Sequence, residues 1–92
     1  MIRVRFLRTF DVSLDALTPR ERAKAASAVK CLLDYFGGGP KPLGLGLRKL
    51  RVNYWEILVG LDQRIFFSLE SDLATFIVAG NHAEIRRRLG RY

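Results

Sequence analysis

The stretch "NYWEILVGLDQRIFFSLESDLATFIVAGN", residues 53 to 81, decides the architecture. Three short runs inside it, YWEILVG, QRIFFSLE and LATFIVAG, are dense in β-branched and aromatic residues, the composition of strands. The breaks GLDQ and ESD between them are short. Connections of that length join antiparallel neighbours, since a parallel return needs a dozen residues or more. LRKLRV (47–52), set off by VN, adds a fourth run before them, so the second half of the chain predicts an antiparallel meander.

Toward the N-terminus the period changes. Ile2, Val4 and Phe6 alternate with Arg3 and Arg5, which predicts a strand with one buried face. TFDVSLDAL (9–17) is compatible with a short helix or a turn. Thr18, Pro19 and Glu21 then stand as N-cap, first helical residue and capping-box partner of a helix running to about Phe36. Ala25, Val29, Leu32, Leu33 and Phe36 form its inner stripe, and Gly37–Gly39 end it. GGGPKPLGLG (37–46) is a flexible connection too short to divide domains. Beyond residue 80, Asn81 predicts a helix start, with Glu84 spaced for a capping box and Ile85 and Leu89 as its apolar side. The expected order is strand, one or two helices, three or four strands, helix. An α+β fold with helices laid on one face of the sheet accommodates it.

The chain of 92 residues has room for one domain, 1–92, and its 49% hydrophobic content is enough for a core. A single cysteine, Cys31, excludes an internal disulfide, and no apolar run approaches the roughly 18 residues of a bilayer span. The first ten residues read as a strand and not as a signal peptide, so a cytoplasmic location without membrane attachment is expected. Sixteen Lys and Arg against nine Asp and Glu leave a net charge of +7, which favours anionic partners.

Several chemistries are excluded. The sequence has no GxxxxGK[ST] loop and no GxSxG elbow, and one histidine with one cysteine cannot make an ordinary zinc site. No metal or other cofactor is expected. Basic residues and a few proton carriers remain. Lys49 and Arg51 share a face of an extended segment, spaced for successive phosphates, while Arg48 faces the other way; solubilising edge charge is the plainer role. Glu56 stands mid-strand with Tyr54 and Leu58 on one side, opposite Trp55, Ile57 and Val59. Arg64 shares a face with Phe66, placed either to clamp a phosphate or to pair with Glu56 across the hairpin. His82 falls in the first turn of the last helix, where an anion is favoured and a protonated imidazole is not. It is a candidate general acid or base, or simply a surface histidine. Arg86 follows four residues later on the same face, whereas Arg87 and Arg88 diverge by about 100 and 200 degrees, so the triple arginine is not one patch.

The order of elements, together with LGLRKL, YWEILV, QRIFFSLE and FIVAGNHAEIRRRL, resembles the RelE/ParE superfamily of bacterial type II toxins, most nearly its RelE- and HigB-like branches. The resemblance covers nearly the whole chain. It implies a small RelE-like fold: a curved antiparallel sheet of four to five strands, an N-terminal helical hairpin or long helix, and a short C-terminal helix. It implies a metal-independent, ribosome-dependent endoribonuclease, an mRNA interferase that inhibits translation and is neutralised by a cognate antitoxin protein in a hetero-oligomer. The alternative is a ParE-like inhibitor of DNA gyrase, or a catalytically inactive antitoxin-binding homologue. Carried onto this chain, Arg64 matches the arginine that holds the scissile phosphate. Glu56 and Leu58 stand where RelE proper has catalytic lysines, so a carboxylate–histidine pair, Glu56 with His82, replaces them. Lys49, Arg51, Tyr54, Arg86 and a C-terminal aromatic, Tyr92, are the expected RNA contacts, and an acidic antitoxin segment is expected over Arg64 and the last helix.

Overall fold

A computed structural model describes residues 2–41 and 44–91. The chain runs β1 (Arg3–Phe6), α1 (Arg8–Asp15), α2 (Pro19–Phe36), β2 (Arg48–Arg51), β3 (Tyr54–Leu58), β4 (Arg64–Glu70), β5 (Leu73–Gly80) and α3 (His82–Leu89). The strands make one sheet in the order β1-β5-β4-β3-β2. β2 to β5 are the antiparallel meander expected from their short connections. β1 joins parallel to β5, with Arg3 opposite Leu73 and Phe6 opposite Phe76, so the sheet is mixed. The helical hairpin between β1 and β2 is what permits this, because it supplies the long return a parallel pair requires.

Local signals place the helices as expected. Thr18 and Glu21 form the reciprocal capping box, the Thr18 hydroxyl accepting from the Glu21 amide at 3.1 Å and the Glu21 carboxylate accepting from the Thr18 amide at 2.9 Å. Ala25, Ala28 and Leu32 are its buried stripe. At α3 only half a box forms. The Asn81 side chain accepts from the Glu84 amide at 2.9 Å, but the Glu84 carboxylate turns to Arg87 instead.

The helices do not all lie on one face. α1 and α2 cover the side of the sheet that carries Ile57, Ile65, Phe67 and Phe76. α3 covers the other side, where Phe66, Ile77, Val78 and Ile85 cluster with Leu50, Tyr54 and Leu89. The cause is legible in β4. Ile65, Phe66 and Phe67 are consecutive and all fully buried, so alternation puts apolar rings on both faces and both need a cover. A register shift opposite Phe66 and Phe67 leaves Ile77 as an extra residue in β5, which lets Ile77 and Val78 both serve the α3 side.

Side chains of α1 complete the hydrogen bonding of β5 beyond the end of β1. Leu7 N–H donates to the Phe76 carbonyl at 3.0 Å. From there the Thr9 hydroxyl donates to the Ile77 carbonyl at 2.6 Å, and the Ser13 hydroxyl accepts from the Ala79 amide at 2.9 Å while donating to the Phe10 carbonyl at 2.7 Å. Two hydroxyls thus stand in for a strand. At the far end of β1 the Arg3–Asp72 pair, 2.8 Å apart, ties the strand to the β4–β5 turn, and the hydrogen bond from Arg3 holds the Asp72 carboxyl below its usual range.

Ser13→Ala orphans the Ala79 amide in a part-buried position. The expected cost is about 1–3 kcal/mol, lowering the midpoint of thermal unfolding by roughly 4–8 °C per kcal/mol for a domain of this size. Calorimetry of the variant checks it, and an unchanged midpoint would refute the role given to the hydroxyl.

Candidate functional site

The α3 face of the sheet carries a cleft of about 390 Å³. β2 and β3 form one wall with Arg48, Lys49, Leu50 and Glu56, and α3 forms the other with His82, Ile85, Arg86 and Leu89. The apolar contacts of α3 with the sheet are made by Ile85 and Leu89. Glu84 closes against Gly80 at the end of β5, and the open side of α3 is the one toward β2. His82 and Arg86, four residues apart, face the cleft together as their spacing predicts.

Glu56 forms the floor. It is 2% exposed, the one buried charged residue among those described. Its strand neighbour is Phe66, and its Oε2 accepts a hydrogen bond from Arg64 Nη1 at 2.7 Å. Arg64 is 20% exposed and lies behind the cleft, and its Nε is buried with no hydrogen-bond partner among the described residues. A buried carboxylate persists in charged form only beside a compensating cation, and Arg64 supplies it. Glu56 lines the cleft and Arg64 does not, so the pair presents its carboxylate side to the cleft.

The register of β2 changes which basic residues belong here. Arg48 pairs with Glu56 and Lys49 with Trp55, but Arg51 pairs with Tyr54, so Leu50 is an extra residue. The bulge moves Arg51 onto the α3 face alongside Arg48, while Lys49 borders the cleft but carries its ammonium to the opposite face, 5.8 Å from the centre of the Trp55 ring. Lys49 and Arg51 do not share a face, contrary to simple alternation. Arg48 is the residue that alternation passed over. Arg51 donates from Nη1 to the Leu89 carbonyl at 3.3 Å, fastening the C-terminal end of α3 to the sheet.

The remaining expected contacts separate. Tyr54 is half-buried and packs on Phe66, ring centres 5.7 Å apart, within the small apolar cluster and outside the cleft lining. Arg87 bonds Glu84 at 2.7 Å, and Arg88 lines a different groove. Tyr92 lies outside the described residues. Cys31 is exposed on α2, and no group of His, Cys, Asp and Glu that could hold a metal occurs among the described residues. No helix of the described residues is long and apolar enough to cross a membrane.

A five-stranded sheet with a helical hairpin on one side and a short basic helix on the other defines the RelE-like toxin fold, and this chain has it. It superposes on a chain of the E. coli DinJ–YafQ toxin–antitoxin complex with a TM-score of 0.75 at 17% identity, covering 91% of this chain and 96% of that one. A chain of the RelB–RelE antitoxin–toxin complex from Methanococcus jannaschii gives 0.72 at 20% identity, over 91% and 96%. YafQ from E. coli strain BL21(DE3) gives 0.66 at 18% identity, over 92% and 98%. At such identities the likeness is one of fold. No family model matches the sequence, and no curated protein aligns with it significantly.

Removing one member of the buried pair leaves the other uncompensated. Glu56→Leu and Arg64→Met are each expected to cost about 3–5 kcal/mol, whereas the two together recover most of the loss. Urea unfolding of the two single variants and the double variant measures this coupling. Additive losses would show that the pair is not a unit.

Proposed function

We propose that the chain belongs to the RelE/ParE superfamily and is the toxin of a type II toxin–antitoxin pair, acting as a metal-independent endoribonuclease on mRNA held by the ribosome. The observation that carries this reading is the cleft itself. It joins two exposed guanidinium groups on facing walls, Arg48 and Arg86, with the lone histidine at its mouth and a buried Glu56–Arg64 pair beneath. Its size and the basic residues on both walls suit a single strand of RNA with its phosphate between the two arginines.

The chemistry that fits is transesterification. The 2′-oxygen attacks the adjacent phosphorus in line while losing its proton, the bond to the 5′-oxygen breaks, and that oxygen takes up a proton. A 2′,3′-cyclic phosphate and a 5′-hydroxyl end result. His82 is the mobile proton carrier, since its ring is exposed at the cleft and it heads a helix. Arg48 and Arg86 stabilise the charge that builds on the phosphoryl oxygens. Glu56, bonded to Arg64 and closed to solvent, orients Arg64 and polarises the cleft floor; a bond to Arg64 already occupies one carboxylate oxygen, which makes it a weaker choice for the base than His82. Lys49 and Arg51 act less directly, one over Trp55 and the other as the clasp on α3. An acidic antitoxin is the protein partner.

The test is mRNA cleavage on ribosomes, with product ends identified chemically. His82→Gln is expected to slow cutting about 100-fold or more, and Arg48→Ala and Arg86→Ala about 100-fold each, while Arg87→Gln leaves the rate unchanged. Intact mRNA with arrested DNA replication in expressing cells would overturn the nuclease reading in favour of gyrase inhibition. Undiminished cutting by His82→Gln would overturn the assigned site.

A further inference from the structure

On the other face of the sheet, where α2 ends, lies a second hollow of about 370 Å³. Tyr35 and Phe36 line it from the helix, Trp55 and Leu69 from the sheet, and Leu47 from the approach to β2. All five side chains are half-buried, and no acid lines the hollow among the described residues. Phe36, Leu47, Trp55 and Leu69 rest on the core beneath, while Tyr35 stands beside Phe36 with ring centres 6.0 Å apart. Neither the Trp55 indole N–H nor the Tyr35 hydroxyl bonds to another described residue. Lys49 joins this hollow to the cleft. It sits on β2, at the edge of the sheet, borders the cleft, and faces Trp55 in the register. Its ammonium nevertheless lies on the hollow's side, 5.8 Å from the indole centre. A strand leaving the cleft over β2 meets that cation first and the aromatic faces next.

We propose that this hollow is a nucleobase subsite for the RNA strand whose scissile phosphate sits in the cleft. The strand crosses the β2 edge with a phosphate on Lys49, and the following base stacks in the hollow against Trp55 and Tyr35. The path of the strand rests on the nuclease reading. An exposed cation–π contact is weak enough to yield, so the Lys49 ammonium can leave the indole face to the base and turn to the phosphate. The indole N–H and the Tyr35 hydroxyl are then available to the edge of the base. Charge selects this occupant. An apolar peptide would fill the hollow and leave Lys49 unmatched, and a second copy of this chain would bring another +7 to the same edge. Trp55 and Tyr35 are thus binding residues, on the opposite face of the sheet from the reacting atoms, that fix which nucleotide lies between Arg48 and Arg86.

Trp55 is the only tryptophan of the chain, so its emission reports on the hollow directly. The protein is titrated with a 2′-O-methyl RNA of about six nucleotides, which lacks the attacking hydroxyl and is not cut. Saturable quenching is expected, with affinity lowered about tenfold by Tyr35→Ala and by Lys49→Gln. Arg48→Ala, on the cleft side, should lower it to a similar extent because one strand spans both places, whereas Arg87→Gln should not. An abasic oligomer of the same length should bind without quenching. With a fluorescein-labelled RNA read by anisotropy, Trp55→Leu should lose about tenfold in affinity and Trp55→Phe should restore it, thermal unfolding confirming that both variants are folded. No quenching, equal quenching by the abasic oligomer, or an Arg48→Ala variant that binds like the parent would overturn the proposal. So would self-association in sedimentation that Tyr35→Ala abolishes, which would give the hollow to a second copy. mRNA cleavage on ribosomes is followed in parallel. Cutting without quenching would remove the subsite and leave the nuclease, and quenching without cutting would remove the nuclease and leave the base-binding hollow.

Discussion

Phe66 and Phe67 are adjacent, fully buried, and directed to opposite faces of one strand. Everything functional in the molecule follows from that double burial. One face is covered by the helical hairpin of α1 and α2. The other is left for a helix of eight residues that can cover only part of it. At roughly 25 cal/mol per Å² of apolar surface removed from water, covering Phe66, Ile77 and Val78 is a strong enough drive to hold α3 against the sheet. It is not enough to close the remainder of the face. The uncovered strip beside β2 is the cleft, and the space on the other flank of α3 is the groove lined by Arg88.

Placing Glu56 next to Phe66 in the register has a second consequence. A carboxylate beside a buried ring, 2% exposed, is tolerable because Arg64 reaches it diagonally from β4. The pair ties β3 to β4 beneath the cleft. Arg48 and Arg86 above it are exposed by comparison, which suits groups that must meet an anion from solvent. α3 therefore serves as a partition, with His82 and Arg86 on one side, Arg88 on the other, and Arg87 tied to its own first turn.

The sheet also shows how edges are managed. β1 covers only the first half of β5, and α1 completes the second half with Thr9 and Ser13 hydroxyls. This use of short polar side chains lets the chain turn from strand to helix beside a neighbour that remains extended. A bulge in β5 supplies the extra apolar residue for the α3 side, and a bulge in β2 rotates Arg51 toward α3. Both are one-residue insertions with consequences for every side chain beyond them.

Local chemistry in the sequence determined the elements: the capping box at Thr18, the Asn81 cap, the strand runs with their short breaks, and the facing of His82 with Arg86. It also carried the Glu56–Arg64 pair, since both lie on one side of a tight hairpin. Helical and strand periods are short-range properties, so such features survive without knowledge of the fold. The parallel pairing of β1, the placement of α3 on the second face and the exchange of Lys49 for Arg48 were decided by tertiary structure alone. A parallel partner is chosen by where the hairpin returns the chain, and a bulge is set by the register of two strands distant in sequence. Neither leaves a periodic trace in the residues it affects. The apolar run RIFFSL was the one visible sign that two faces would be buried, and the choice of which helix covers which face depended on packing across the whole sheet.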